Sequence, residues 1–497
     1  MRIDAFLGHH GVITNPFADE DAQSDHVFKK SCIHDTYHPA WDKIYGDPSD
    51  PAASVVFGEK GSGKTALKLQ ISERLRMYNE DNAGRQVFAI EYDDFNPPLE
   101  RFAQHFRGRR RQPPKLLDRW RLWDHHDAVL SLGVTQLLDR ALDAASARSY
   151  PAVTDTPIDL ERLSDPQARD LLLLAALYDQ STGESPEFRW NRLRHETKFS
   201  TWKSRIRLIG AIAGTVLILL FLISINKLSW LLTVWPYLAA IGCWIPWAWR
   251  QFKFWRSARR VVRSAKTVNL DRARLRRTLY QFPGDTLADQ PLPEAARSDD
   301  RYELLRKFQD ILRALGFDGL VVLVDRVDEP YMINGQTPLM KKLIWPMLDN
   351  KFLKHPALGV KLLLPAELEL EIDRESRDFH QRSRLDKQNL VRSLAWTGES
   401  LYDLAGARLA ACVQSDIKPQ LADLFEPSVD RRRLVDAMST LRVPRHVFKF
   451  LYRLITEHCN THSDDAPVMT ISSEMFEAQL ALFQKDQRAF DMGYGAG

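Results

Sequence analysis

The stretch Gly58-Glu59-Lys60-Gly61-Ser62-Gly63-Lys64-Thr65 limits what this chain can become more than any other. It follows the apolar run Ser54-Val55-Val56-Phe57 and runs into Ala66-Leu67-Lys68-Leu69-Gln70-Ile71, which reads as a helix. Strand, glycine loop, lysine, hydroxyl and helix, in that order, make a phosphate-binding P-loop in the context it requires. Gly58, Gly61 and Gly63 let the backbone turn tightly and aim its N–H groups at phosphate oxygens. Lys64 is expected to reach the β- and γ-phosphates and Thr65 to hold Mg²⁺, with the helix N-terminus adding its positive end. The expected ligands are ATP and Mg²⁺, and the expected contacts run from Gly58 through Thr65.

Such a loop needs an acid on a neighbouring strand. Gly319-Leu320-Val321-Val322-Leu323-Val324-Asp325 is a continuous apolar run ending in a carboxylate, the pattern of a buried parallel strand. Asp325 is the expected Walker B residue and second Mg²⁺ contact, beside Thr65. The chain continues Arg326-Val327-Asp328-Glu329-Pro330. In many P-loop ATPases the acid that orients the attacking water follows directly, where Arg326 stands here. Asp328 and Glu329 both remain open for that role.

Lys+Arg 69 against Asp+Glu 65 gives a net charge of +4 over 497 residues. That near-balance means any polyanion-binding surface must come from local clusters. The four cysteines, Cys32, Cys243, Cys412 and Cys459, have no paired spacing and suit a reducing compartment. Neither Cys32 with His34 and His38, nor His458, Cys459 and His462, forms a recognisable metal-ligand set.

In chain order, residues 1–50 read as an irregular or partly helical arm packed on the nucleotide core, and 51–100 as the first half of that core. Helix 65–78 is followed by a strand over 85–92, and 101–205 reads as a helical insertion. Within the insertion Arg107-Gly108-Arg109-Arg110-Arg111 reads as a solvated basic loop, and helices are expected over 120–145 and 158–178. Leu208–Ile225 and Leu228–Trp249 are each uncharged and long enough to cross a hydrocarbon layer roughly 30 Å thick. The second is rich in Trp, as interfacial segments are, and holds Pro236 and Pro246. Residues 206–249 are therefore expected to form a transmembrane hairpin turning at Asn226-Lys227. Lys198, Lys203, Arg205 and Arg207 precede it, and Arg250, Lys253, Arg256, Arg259, Arg260, Arg263 and Lys266 follow. By the positive-inside rule both soluble ends face the cytoplasm. The helical, basic tract Arg250–Arg277 is expected to meet anionic lipid; nucleic acid is the less favoured partner.

Residues 250–300 lead to a second half-core over 301–395. It holds a helix over 302–315, the Asp325 strand and the buried strand Gly359–Pro365, with Glu367 a candidate sensor and Arg374, Arg377, Arg382 and Arg384 a charged segment. Thr397 reads as the cap of a helix reaching Cys412, and 396–497 as a helical lid containing Val443-Pro444-Arg445-His446. The expected fold is thus an α/β P-loop core, a parallel sheet with flanking helices, carrying an inserted helical region with a two-helix hairpin and a C-terminal helical lid.

A P-loop with a membrane hairpin between its two Walker motifs resembles the KAP family of P-loop NTPases, which groups with the STAND and AAA+ ATPases. The order of P-loop, hairpin, Walker B and lid carries the resemblance over most of the chain beyond residue 50. The segment Asp325-Arg326-Val327-Asp328-Glu329 departs from the adjacent aspartates common in that family and is closer to the STAND spelling. By resemblance Arg445, in a Pro-Arg pair opening a lid helix, is the sensor-2 arginine that touches the γ-phosphate. The resemblance implies an ATP hydrolase at the inner membrane, with the ATPase domain cytoplasmic, serving bacterial anti-phage defence or signalling. It would work as a homo-oligomer beside a separate effector protein. A slow regulatory switch and a nucleic-acid-dependent motor both remain open, and the switch leads because no helicase, nuclease or protease constellation is present.

Overall fold

The computed structural model describes residues 1–34, 36–142, 158–224, 233–283, 287, 290–413 and 419–491. Five strands form one parallel sheet: β1 Ser54–Gly58, β2 Gln86–Tyr92, β3 Phe317–Val324, β4 Leu358–Pro365 and β5 Asn389–Val391, in the order β2-β3-β4-β1-β5. Every residue of β1 and β4 is buried, which explains why both read as unbroken apolar runs rather than alternating ones. Strand β1, next to the edge, pairs in parallel with both neighbours, Val56 facing Leu363 on β4 and Val391 on β5. Parallel strands need long crossovers, and helical segments supply them.

Two compact units divide the chain: Met1–Met77 with Leu323–Asp328 and Leu358–Gly497, and Tyr78–Val322 with Glu329–Ala357. In the first, the segment entering β1 is fixed by Lys361 of β4. This buried ammonium donates to the carbonyls of Ile44 (2.7 Å), Tyr45 (2.9 Å) and Ala52 (2.9 Å). The N-terminal arm does not simply cover the nucleotide core as expected. Phe6, Leu7, Val12 and Phe17 belong to the core of the C-terminal helices, with Leu401, Phe450 and Phe476. Phe28, Cys32 and Ile33 pack on the helix Lys64–Asp81 through Ala66 and Leu69, and Gln70 of that helix donates to the Thr36 carbonyl at 2.8 Å. The arm's early apolar residues thus add to the apolar layer of the C-terminal helices. The expected helix after Thr397 is present over Gly398–Ala411, capped by the Thr397 hydroxyl, which accepts from the Ser400 N–H at 3.1 Å.

The second unit is built on the helix Leu122–Leu142. Gly133 sits mid-helix because a Cβ there would lie 2.6 Å from Ile90 and 3.0 Å from Phe308. Two buried acids on this helix, Asp127 and Asp139, are matched. Asp127 receives Arg301 at 3.1 and 3.2 Å and the Tyr178 hydroxyl at 2.8 Å, while Arg189 bridges Asp139 (2.7 Å) and Asp179 (2.9 Å). The helix expected over 158–178 is broken: a short turn covers Leu160–Arg162, then Ser164 and Pro166 start a new helix, Asp165–Tyr178.

The apolar segment also differs from expectation. Helices span Trp202–Ser224 and Trp235–Ser264, and the expected turn Asn226-Lys227 lies outside the described residues. Among the described residues one helix, Ser204–Ser224, is long and apolar enough to cross a membrane. Of the second expected span, Leu228–Trp249, residues 228–232 lie outside the described residues. Its helix begins at Trp235, so its uncharged part covers about 15 residues, or roughly 22 Å at 1.5 Å per residue. The two helices nonetheless pack together: the Trp244 indole donates to the Thr215 hydroxyl at 3.1 Å, and a Cβ on Gly214 would meet the Cys243 sulfur at 2.7 Å. Their remaining apolar surface is exposed, including Leu217 (64%), Phe221 (62%), Trp235 (72%) and Trp249 (68%).

The basic tract Arg250–Arg277 is two helices, not one, since Arg272–Gln281 starts anew with Asp271 as its cap. Part of its charge is matched within the fold. Arg250 is buried, donating to the carbonyls of Ser204, Tyr280 and Phe282 and lying 4.7 Å from the Tyr280 ring centroid. Arg260 and Arg277 pair with Glu294 and Glu187, each at 2.8 Å.

Candidate functional site

The site grows from the carboxyl end of β1, where ligands gather in open α/β sheets. Strand ends fix the base of the loop: Leu394 N–H donates to the Phe57 carbonyl at 2.7 Å, and Ala366 N–H to the Gly58 carbonyl at 3.1 Å. Gly61 and Gly63 sit at φ +87° and +96°, where a side chain would be strained, so the spacing expected of a P-loop is required by the backbone itself. Glu59 and Lys60 are exposed, Gly58 and Ser62 buried. The Ser62 hydroxyl is buried without a hydrogen-bond partner.

Lys64 opens the helix Lys64–Asp81 and bends back over the loop, donating to the carbonyls of Gly58 (2.7 Å) and Glu59 (3.1 Å). Burial holds its ammonium below the usual lysine range, opposed by the charges of Asp325, Asp328 and Glu367 and assisted by Arg445. These charges come from four distant stretches of sequence. Thr65 donates its hydroxyl to Asp325 Oδ2 at 3.0 Å. Asp325, 2% exposed, is pushed above the usual carboxylate range by burial; the Arg326 N–H, the Thr65 hydroxyl, Lys68 and Lys64 pull it back. Arg326 takes φ +57°, turning the chain sharply just beyond β3.

Of the two open acids, Asp328 is half-buried and acts electrostatically on Lys64, whereas Glu329 is exposed. Arg445, the second residue of the helix Pro444–Thr461, lies against the loop: its N–H donates to the Gly61 carbonyl at 3.4 Å, and its Cβ is 2.8 Å from where a Gly61 Cβ would stand. Its Nε is buried and lacks a partner. Among the described residues no group of three or more His, Cys, Asp or Glu is arranged to hold a metal ion. A hydroxyl and a carboxylate 3.0 Å apart nonetheless suit Mg²⁺, which keeps most of its water and takes one or two protein oxygens.

Two contacts were not visible in the sequence. The Trp396 indole donates to the Ser62 carbonyl at 2.9 Å, and His38 packs edge-on against that indole while bonding the Ala395 carbonyl at 2.9 Å. A tryptophan just before a helix cap was the available signal, because an indole N–H seeks a partner when buried. The other is an ion pair between Arg442 and Glu59 at 3.1 Å. Chemically, the assembly offers a glycine cradle, a lysine, a buried arginine edge and an acid–hydroxyl pair around one point. In comparisons with protein-family models, curated proteins and solved structures, the chain matches none.

Proposed function

We propose that this chain is a membrane-anchored P-loop ATPase acting as a switch, as its resemblance to the KAP family implies. The observation that carries the reading is the meeting of Thr65 with Asp325 at 3.0 Å beside Lys64. These residues stand on either side of the apolar segment in the sequence, yet supply the two halves of a nucleotide–Mg²⁺ site. Mg²⁺, when bound, neutralises charge developing on the transferred phosphoryl group. The residues do the remainder. The loop amides and Lys64 hold the β- and γ-phosphates, Thr65 and Asp325 orient the ion, and Arg445 turns its free guanidinium edge to the terminal phosphate. Asp328, nearer the lysine's field than exposed Glu329, is the acid assigned to orient water.

The exposed apolar face of Trp202–Ser224 supports the anchor, because monomeric soluble proteins rarely leave so large a contiguous patch bare. Thr65 precedes that helix and Asp325 follows it, so the chain must cross an even number of times for the two to meet. A single span cannot satisfy this, and residues 225–249 are the segment available to return. The switch uses a partner or second copy as its output and resides in the inner membrane with the site in the cytoplasm.

Lys64→Ala tests the reading. Mg²⁺-dependent ATP binding, followed with a fluorescent analogue on detergent-purified full-length protein, should disappear while the circular dichroism spectrum is unchanged. Unaltered binding in that variant removes the assignment. Turnover stimulated many-fold by polynucleotide would favour a motor over a switch.

A further inference from the structure

The joint between the helices Arg431–Leu441 and Pro444–Thr461 is strained. Arg442 adopts φ +67° and ψ −34°, and the Val443 N–H donates to the Leu441 carbonyl at 2.8 Å across it. That is a three-residue turn of the rare, strained hand. Both sides impose it. The Arg442 N–H is held by the Met438 carbonyl at 3.2 Å, while Val443 is kept extended (φ −132°, ψ 149°) before Pro444. Glycine is the usual residue where a helix ends at positive φ. This chain places an arginine there instead, and its guanidinium meets Glu59 of the glycine loop at 3.1 Å. Strained backbone that survives in a fold gathers at functional sites, where the surroundings over-determine it.

Three residues further on, Arg445 contacts Gly61. The helix Pro444–Thr461 is thus joined to the loop at two points, Glu59 and Gly61, by residues flanking its first turn. Resting on the proposed ATPase reading, we infer that Arg442 and Glu59 are positioning residues: their ion pair sets where Arg445 stands over the loop and so governs preference for ATP over ADP. Arg445 is the residue turned to the terminal phosphate, which ADP lacks. A shift of the helix start therefore weakens ATP binding and leaves ADP binding nearly as it was. The pair is exposed on both partners, so its rupture tilts the helix without unfolding it.

The test is a charge exchange on the full-length protein in detergent, titrated separately with fluorescent ATP and ADP analogues in Mg²⁺. Arg442→Glu and Glu59→Arg should each lower the ATP-over-ADP preference about threefold to fivefold, the range an exposed ion pair supplies. The double exchange should restore it. Arg442→Gly, which suits the positive φ, should lose the preference in the same way while melting no lower than wild type. That separates positioning from a general structural role. Preference unchanged in the single variants, or not recovered in the exchange, overturns the inference alone. Wild-type protein that binds neither nucleotide overturns the proposed function together with it.

Discussion

On the proposed ATPase reading, folding and ligand binding make opposite demands of Asp325. Burial raises its pKa, so the folded state favours its protonated form. Its stabilising contribution is complete below the ordinary carboxylate range and is lost as pH rises through the raised value. Above that raised value the ligand-free protein bears the cost of an ionised, buried carboxylate. Asp325→Asn should raise the ligand-free melting point, by about 1 kcal/mol in stability, the usual gain when a functional strain is released. It should also abolish the extra stabilisation that Mg²⁺-ATP gives wild type. Differential scanning fluorimetry with and without Mg²⁺-ATP reads both, and a variant still stabilised by the nucleotide to the wild-type degree removes Asp325 from the ion site. Asp124 follows the same sign elsewhere, for no evident ligand. Burial, then the Asp127 charge, push its pKa up to about 7, against the Arg121 N–H, Lys266 and Arg301. Its contribution is thus lost between the ordinary carboxylate value and pH 7. His125 and His126, lowered by burial to about 4 and about 3, act in the opposite direction, losing stability as pH falls. Only a difference isolates Asp124: Asp124→Asn should be more stable than wild type at pH 8, with the advantage shrinking towards pH 5. A constant advantage across that interval would show the group is not titrating there.

The helix Trp202–Ser224 makes the sharpest case for an element whose surroundings decide its meaning. Leu217 is 64% exposed near its middle. In water, Leu217→Asp would be harmless or improve solubility. Across a bilayer an acid at a helix centre costs about 3 kcal/mol on the insertion scale. The variant should accumulate less in the membrane fraction of cells expressing it, and equal membrane recovery would argue that this helix meets no lipid. The same helix shows what a sequence discloses. Its apolar run was legible from composition alone, and those of β1, β3 and β4 because near-complete burial forces one composition. The loop was legible because Gly61 and Gly63 answer a backbone demand. The second apolar run was misjudged because hydropathy does not register where a helix begins, and Trp235-Pro236 begins this one later than charge alone suggests. Contacts such as Trp396 to Ser62 and Arg442 to Glu59 were illegible for a different reason. They join stretches hundreds of residues apart, and nothing local in either partner requires the other. Arg250 shows the same limit, since its charge reads as surface while the fold uses it to bind three carbonyls.

At the level of the complete chain the decisive constraint is topological. The glycine loop and its acid lie on opposite sides of the apolar segment in sequence but share one hydrogen bond. If Trp202–Ser224 spans a bilayer, a return crossing must lie between residue 225 and the basic residues after Trp249, with Asn226-Lys227 on the far side. The uncharged part of Trp235–Ser264, roughly 22 Å long, falls short of a layer roughly 30 Å thick. The return therefore needs the uncharged residues preceding Trp235 or a locally thinned bilayer, an accommodation costing fractions of a kcal/mol per Å. Two measurements on intact cells separate the alternatives. The protein should resist alkaline carbonate and float with membranes. In a Cys243→Ser background a cysteine placed at Lys227 should react with an impermeant thiol reagent from outside, while buried Cys412 and Cys459 should not. Labelling at Lys227 fixes a hairpin that enters and leaves on the nucleotide side. A carbonate-resistant protein unlabelled there would mean the apolar helices lie in one leaflet without crossing, which equally satisfies the meeting of Thr65 with Asp325. Release by carbonate would leave the exposed face of Trp202–Ser224 to be covered by protein, and the membrane reading would fall.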